Sequence, residues 1–185
     1  MTFTLPVDDE LSLRLVEPRH AEMLYAFLDR NREHLRPFLV WSPSVKDVNE
    51  VRENITIWLR MFADTGCFYA LIEHGNRPVG TICHIDPQPA RGCVEIGFWI
   101  DTAHEGNGYI TRAARALIDH TIETLGFRRV EIMCDEQNTR SRAVAERLGF
   151  TNEGTIRRFS ERLDGQWNNK VVYSMLVDEW KARQL

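Results

Sequence analysis

The chain has 185 residues, a net charge of -4, 43% hydrophobic residues and 27% charged residues. These values fit a single globular domain, residues 1–185, with a real hydrophobic core. They give no electrostatic support to nucleic-acid binding, and no apolar run approaches the roughly 20 residues of a membrane helix.

The first ten residues, MTFTLPVDDE, contain neither a basic nor an apolar segment, so we expect no signal peptide. The four cysteines form no C-x-x-C pair, which indicates free thiols in a reducing cytoplasm. The six histidines lack the spacing of metal ligands. We therefore expect a cytoplasmic protein without a metal, nucleic-acid or membrane partner, while the oligomeric state (monomer or homodimer) stays open.

The first third of the chain predicts one strand followed by two helices. Residues 11–16 carry leucines at alternate positions, which predicts a strand. Apolar residues at helical spacing follow Pro18 and predict the first helix. An apolar linker with several aromatic residues, residues 35–43, separates it from a second helix. This second helix is predicted to begin near Asp47 and to end before Gly66.

The middle of the chain predicts three antiparallel strands. Two apolar runs, residues 67–72 and 79–85, flank a short Gly/Asn/Pro turn and therefore predict a hairpin. A loop over residues 87–92 leads to a third β-favouring run, residues 94–100. Gly97 within that run indicates a bulge or a close backbone approach.

A helix from about Tyr109 to Gly126 precedes another buried run, residues 130–134. A strand–helix–strand crossover normally joins parallel strands, so this run is predicted to lie parallel to residues 94–100.

The C-terminal part predicts one more helix and a closing hairpin. Asn138 is predicted to cap the helix, and Gly149 to end it. Residues 157–162 and 171–177 predict an antiparallel pair around a turn at Asp164–Gly165. The element order indicates an α/β fold with a mixed, mostly antiparallel twisted sheet of about six to seven strands and helices on both faces.

The stretch VEIGFWIDTAHEGNGYIT, residues 94–111, has the order strand, glycine turn, helix. Glycines let the backbone approach a ligand closely, and the N–H groups of a first helical turn point at an anion. A phosphate-binding turn is therefore predicted, with an ordinary β–α turn as the alternative. A P-loop is excluded because Tyr109 and Ile110 follow Gly108, and a dinucleotide fingerprint lacks its third glycine, where Thr111 stands.

One face of the predicted helix after Asn138 points inward, and the first residue on that face is polar. Ser141, Val144, Ala145 and Leu148 fall at positions i, i+3, i+4 and i+7. A hydroxyl on an inward face near a helix end usually borders a cleft or satisfies a neighbour.

Two segments carry a family resemblance. Residues 105–110, EGNGYI, resemble the acetyl-CoA loop of GNAT-type N-acetyltransferases, whose pattern is Gln or Arg, two residues, Gly, one residue, and Gly or Ala. Glu105 and Ile110 depart from that pattern. Residues 138–150, NTRSRAVAERLGF, resemble the second CoA motif of the same family almost residue for residue. The resemblance extends from Leu13 to Trp180 and is to the RimJ/RimL branch of ribosomal-protein acetyltransferases.

The resemblance implies the GNAT fold and a site for acetyl-CoA as co-substrate. The two parallel strands would splay apart, with the pantetheine arm between them like an added strand. The arm would pair with the backbone around Phe98, Trp99 and Ile100. The pyrophosphate would be held by Glu105, Gly106, Asn107, Gly108, Tyr109, Ile110 and Thr111, although a carboxylate at residue 105 is unhelpful there. Asn138 would bond the pantetheine, unless it serves only as a helix cap.

The resemblance also implies direct acetyl transfer to a primary amine in a ternary complex. Ser141 would be the acid near the thioester sulfur, with Tyr173 in reserve. Glu161 would be the base, with a solvated strand carboxylate as the alternative. In this branch, an Asp usually stands two residues after the aromatic residue of a G-x-aromatic turn. Here Trp167 is that aromatic residue, and Asn168 and Asn169 follow it, so this chain departs from the branch at the Asp position.

The aromatic linker and the first two helices form one wall of the substrate cleft in this branch. Phe38, Trp41 and Trp58 are therefore either cleft residues or core. Because an α-amine titrates near about 7.7–8.0 and a lysine amine near about 10.4, a single carboxylate base suits the α-amine better. We expect the N-terminal amine of a protein starting with Ser or Ala as acceptor. A small-molecule amine (antibiotic or polyamine), a catalytically silent acyl-CoA sensor and a nucleotide-binding protein are the alternatives.

Overall fold

The computed structural model describes residues 3–39, 45–161 and 165–183. Its strands form one sheet of order β1-β2-β3-β4-β5-β6-β8-β7. The strands are β1 (Thr4–Pro6), β2 (Leu11–Leu15), β3 (Tyr69–His74), β4 (Arg77–Gln88), β5 (Cys93–Ile100), β6 (Arg129–Asp135), β7 (Thr151–Glu161) and β8 (Trp167–Leu176). The helices are α1 (Ala21–Arg30), α2 (Arg32–Leu35), α3 (Val48–Thr65), α4 (Tyr109–Asp119), α5 (Thr139–Leu148) and α6 (Val177–Ala182).

The chain divides into two compact units. The first unit comprises residues 1–83 and 98–113, and the second comprises residues 84–97 and 114–185. The chain passes between them within β4, within β5 and within α4.

In the first unit, β1, β2 and β3 pair antiparallel and β3 returns into β4 through a two-residue turn. Gly75 and Asn76 in this turn have φ of 55° and 63°. Two positive φ values match the type I′ turn that suits the twist of a hairpin. The apolar side of this unit is a core cluster shared by the sheet and helices α1 and α3; its members include Val16, Leu24, Phe27, Leu28, Val51, Ile55, Tyr69, Leu71 and Trp99.

The boundaries of α3 follow from its sequence. The Asp47 carboxylate accepts hydrogen bonds from the amides of Asn49 and Glu50 at 2.7 and 3.1 Å, which satisfies the open donors of the first turn. Gly66 ends the helix with φ of 75°, a left-handed conformation that glycine adopts readily.

In the second unit, β5 and β6 are parallel, whereas β6, β8 and β7 pair antiparallel. The apolar face of these strands is buried, together with one face each of α4, α5 and α6; its residues include Val94, Ile96, Leu117, Val130, Ile132, Val144, Leu148, Tyr173 and Trp180. α4 continues into a π-helical turn, His120–Thr124.

The predicted mixed, mostly antiparallel sheet with one parallel pair is confirmed. The structure adds an eighth strand, β1, which the sequence pattern did not reveal because three residues are too short for a visible alternation. The predicted linker residues Trp41 and Ser42–Pro43, and Asp164 of the predicted closing turn, lie outside the described residues. Among the described residues, no helix has the length and apolar character to cross a membrane.

Candidate functional site

The glycine turn between β5 and α4 lies in the first unit and has two left-handed residues. Gly106 and Gly108 have φ of 78° and 72°, and a Cβ on either would meet no atom within 4 Å. The Asn107 side chain donates to the carbonyls of His104 and Glu105 at 3.0 and 3.2 Å, which closes the turn. The glycines are therefore required by the backbone conformation, and the space beside them is open to a ligand.

Glu105, the residue that departs from the acetyl-CoA loop pattern, has a partner of its own. Its Oε1 lies 3.0 Å from Nε2 of His34, which lies in α2 in the same unit. This contact gives the carboxylate an imidazole partner, which offsets its charge only where that imidazole is protonated.

The first turn of α4 is anchored by Arg112. Its guanidinium donates to Asp8 at 2.6 and 2.7 Å and to Glu10 at 3.1 Å, and its amide donates to the Gly108 carbonyl at 3.1 Å. Desolvation acts to raise the pKa of Asp8, but the hydrogen bond from Arg112 and two backbone amides hold it below its usual range. The start of α4 is thus fixed, with the N–H groups of Tyr109 and Ile110 ahead of its first intrahelical bond.

The end of β5 is packed closely against β4 within the first unit. A Cβ on Gly80 would lie 2.6 Å from the Trp99 carbonyl oxygen and 3.1 Å from Cα of Ile100. Trp99 is 7% exposed, and its ring lies 4.8 Å from that of Phe27. Phe98 and Ile100 are half-buried. Trp99 therefore belongs to the core as well as to the predicted cofactor strand.

Trp58, proposed above as a cleft or core residue, stacks on Tyr69 with a ring separation of 3.8 Å and an angle of 11°. It is half-buried and packs against the core cluster of the first unit. Leu24, Leu28, Val45, Val51, Asn54, Trp58, Tyr69 and Trp99 line a small apolar recess there. Phe38 lies just after α2 and is half-buried.

The parallel pairing of β5 and β6 is short. It runs from Cys93 opposite Arg129 to Glu95 opposite Glu131, whereas β6 continues to Asp135. On its other side β6 pairs with β8 along its whole length, down to Asp135 opposite Lys170. Among the residues that the structure describes, one edge of β6 in the second unit has no paired strand beyond Glu131.

Asn138 and Ser141 are brought together at the start of α5. The Asn138 side-chain oxygen accepts a hydrogen bond from the Ser141 amide at 3.1 Å, so Asn138 is the N-cap, as predicted. Ser141 is half-buried, and Val144, Ala145 and Leu148 behind it are buried. Among the described residues, nothing accepts from or donates to the Ser141 hydroxyl, so this group is available to a ligand.

Tyr173, the reserve acid, is committed to a local network. Its hydroxyl donates to Glu146 at 2.8 Å and accepts from Arg142 at 3.1 Å. Burial raises the pKa of Tyr173, and the nearby Glu146 adds to this against the opposing effect of Arg142. The Tyr173 proton is therefore already used in the bond to Glu146, and donating it to a ligand would break that bond.

Glu95 is a site candidate that the sequence reasoning missed. It lies on β5, half-buried, and desolvation raises its pKa to about 7. Glu131 and Asp86 act in the same direction, and Lys170 acts against them. A carboxyl group titrating near neutrality is a feature of general bases. The sequence offered only an alternating strand pattern, which does not reveal how far a carboxylate is desolvated.

Glu161 lies at the end of β7, opposite Trp167 of β8, and is exposed. The two asparagines beyond Trp167 bond to the protein itself. Asn168 accepts from the Ser160 amide at 3.0 Å, and Asn169 accepts from the Arg158 amide at 2.9 Å. No contact joins Glu161 to Asn138 or Ser141 among the described residues, and no group of three or more potential metal ligands is found there.

Residues 10–151 match the family Acetyltransferase (GNAT) domain. The chain is 33% identical to the putative ribosomal N-acetyltransferase YdaF of Bacillus subtilis, over 98% of this chain and 100% of that protein. It is 30% identical to the ribosomal-protein-serine acetyltransferase of Escherichia coli, over 96% and 99% of the two chains. A structure of RimL, the ribosomal L7/L12 alpha-N-protein acetyltransferase, in complex with coenzyme A is also similar, with a TM-score of 0.91, 26% identity and coverage of 96% and 99%.

The family match over residues 10–151 and the similarity to these two relatives cover both CoA motifs that the sequence suggested. The resemblance proposed from residues 105–110 and 138–150 is thereby confirmed. The chain belongs to the GNAT acetyltransferase family.

Proposed function

We propose that this protein transfers the acetyl group of acetyl-CoA to the N-terminal α-amine of a protein, in the cytoplasm, and that residues 1–185 act as one acetyltransferase domain. Acetyl-CoA would supply an activated thioester. The relatives of this protein in Bacillus subtilis and Escherichia coli are named as ribosomal-protein acetyltransferases, which favours a protein acceptor over a small amine.

One observation carries the proposal. The β5–β6 pairing ends at Glu95 and Glu131, and β6 runs four residues further before α5, where the Ser141 hydroxyl has no hydrogen-bond partner in the described part of the chain. An open strand edge can bind an extended, amide-containing arm by backbone hydrogen bonds. The pantetheine of CoA is such an arm, and an acid at its sulfur end is what thioester aminolysis requires.

The glycine turn is suited to the other end of CoA. We assign the pyrophosphate to the amides of residues 105–111, with Gly106 and Gly108 allowing close approach and the start of α4 favouring negative charge. Glu105, the one acidic side chain of the turn, has His34 as its partner, and the charge of that pair is balanced where the imidazole is protonated.

Ser141 is the proposed acid. Its hydroxyl would donate a proton or a hydrogen bond to the departing sulfur, and Asn138 would position the arm while capping α5. The commitment of the Tyr173 hydroxyl to Glu146 supports Ser141 over Tyr173.

Two carboxylates are candidates for the base. Glu161 is exposed at the end of β7, and Glu95 is half-buried with a pKa of about 7. A base that titrates near 7 is matched to an α-ammonium group of pKa about 7.7–8.0. We therefore propose Glu95 beside Glu161 as a candidate for proton removal from the acceptor.

The experiment is a thiol-release assay with acetyl-CoA and a panel of amines. Ser- and Ala-starting peptides should give the highest kcat/KM, above N-terminally blocked peptides that contain Lys and above polyamines and aminoglycosides. If a blocked Lys peptide or a small amine is better by tenfold or more, the α-amine assignment is wrong. If CoA binds in calorimetry and no amine is acetylated, the protein is an acyl-CoA sensor rather than an enzyme.

The same assay can show which of the two carboxylates, Glu95 or Glu161, acts as the base. Glu95→Gln should remove a pH dependence near 7 from kcat/KM, whereas Glu161→Gln should retain it. The reverse result would assign the base to Glu161.

A further inference from the structure

Strand β7 is interrupted by a large bulge in the second unit. Ile156 pairs with Lys170, but the next pair is Ser160 with Asn168, so three residues of β7 lie opposite one residue of β8. Arg158 in the bulge has φ of 52°. A non-glycine residue in this region is unfavourable and persists only where surrounding contacts hold it.

Two asparagine side chains hold the bulge. Asn169 accepts from the Arg158 amide at 2.9 Å and donates to Glu136 at 2.9 Å. Asn168 is 4% exposed and accepts from the amide and the hydroxyl of Ser160 at 3.0 and 2.7 Å. The shape of the bulge is therefore fixed by buried and half-buried polar contacts.

The bulge borders an open cavity of about 650 Å³ lined by Arg157, Arg158 and Asn169. Both arginines are exposed, and neither forms an ion pair with a described residue. Lys170 lies beside them in β8, with its ammonium 5.6 Å from the centroid of the Phe159 ring. The cavity is thus a cationic concavity on a protein of net charge -4, and two guanidinium groups suit carboxylates as ligands.

Hydrogen bonds connect this cavity to the start of α5. Glu136, which accepts from Asn169, also receives a bond on its carbonyl from Arg142 at 3.2 Å, and its amide donates to the Asn169 carbonyl at 3.1 Å. It precedes the N-cap Asn138 by two residues. The wall of the cavity and the proposed acid Ser141 therefore belong to one hydrogen-bonded segment.

We propose that this cavity binds acidic side chains of the acceptor polypeptide, a few residues beyond its N-terminal amine. The inference rests on the proposed function and extends it, because it defines the acceptor as a polypeptide with carboxylates near its N-terminus. It also disfavours polyamines and aminoglycosides, since cationic groups would be repelled by Arg157 and Arg158.

The test compares two Ser-starting peptides of equal length, one with Asp and Glu after the first residues and one with Asn and Gln at the same positions. Binding is measured by fluorescence anisotropy with the CoA-bound protein, and turnover is measured by thiol release. The variant is Arg157→Gln/Arg158→Gly, since glycine tolerates the positive φ. The control is Arg91→Gln/Lys181→Gln, which removes two exposed positive charges elsewhere in the second unit.

The wild type and the control should prefer the acidic peptide by about tenfold in Kd and kcat/KM, and the preference should weaken with added salt. The cavity variant should lose the preference and keep its kcat on the neutral peptide. Equal binding of both peptides by the wild type, or an undiminished preference in the cavity variant, would overturn the inference. Absence of turnover on every peptide would refute the proposed function alone, because the binding comparison decides the acidic site independently.

Discussion

Changing Glu95 to Gln should make the stability of this protein less dependent on pH. Desolvation raises the pKa of Glu95 from 4.5 to about 7. The folded state therefore binds this proton more tightly than the unfolded state, and stability falls as the pH rises from 4.5 through 7. At about 1.4 kcal/mol per pKa unit, the ionised carboxylate costs the folded state about 3 kcal/mol above neutrality.

The assay is urea unfolding of wild type and variant at a series of pH values between about 5 and 8. Over this interval the wild type should lose about 2–3 kcal/mol relative to Glu95→Gln, since glutamine carries no charge to desolvate. Glu123→Gln is the matched control, because Glu123 is an exposed carboxylate of the same unit and should leave the pH dependence unchanged. Parallel curves for wild type and Glu95→Gln would refute the reasoning and would also count against Glu95 as a candidate base.

Ser141→Ala should lower kcat by roughly 10- to 1000-fold with little change in the Kd of acetyl-CoA, and an unchanged kcat where chemistry limits turnover would remove Ser141 from the mechanism. Hydrogen bonds from Arg129 and Ser174 lower the pKa of Glu153 to about 2, so its stabilisation is present above 4.5 and is lost as the pH falls toward 2. Because Glu153 is 42% exposed, Glu153→Gln should cost only about 1 kcal/mol at neutral pH and nothing in strong acid, as measured by denaturant midpoints. Gly80→Ala should destabilise the protein by about 1–3 kcal/mol, because the new Cβ would meet the Trp99 carbonyl oxygen rather than a mobile side chain; an unchanged Tm would show that β4 and β5 can separate without cost.

Local sequence patterns predicted most of the elements because the relevant physics is local. The helix start near Asp47, the N-cap at Asn138 and the helix ends at Gly66, Gly126 and Gly149 depend on neighbouring residues, and each is found in the structure. The parallel arrangement of β5 and β6 followed from the handedness of the crossover rather than from any pair of residues.

The ends of the elements were less predictable. The C-terminal hairpin begins at Thr151, six residues before the predicted start, because an exposed edge strand carries no alternation of buried and polar residues. The helical turn after Asp119 is π-helical. In this turn, the Thr121 hydroxyl donates to the Leu117 carbonyl and also shares a hydrogen bond with the His84 ring. That contact depends on a strand distant in sequence.

By itself, the sequence determined the family, the sheet type and the two segments that carry the CoA motifs, because motif spacing and periodicity are written along the chain. Only the tertiary structure gave Glu95 a pKa of about 7, since desolvation depends on what packs around a carboxyl group. It likewise gave Glu105 its contact with His34 and committed the Tyr173 hydroxyl to Glu146. Each of these chemical properties arises from residues distant in sequence, and folding alone brings such residues within a few ångströms of each other.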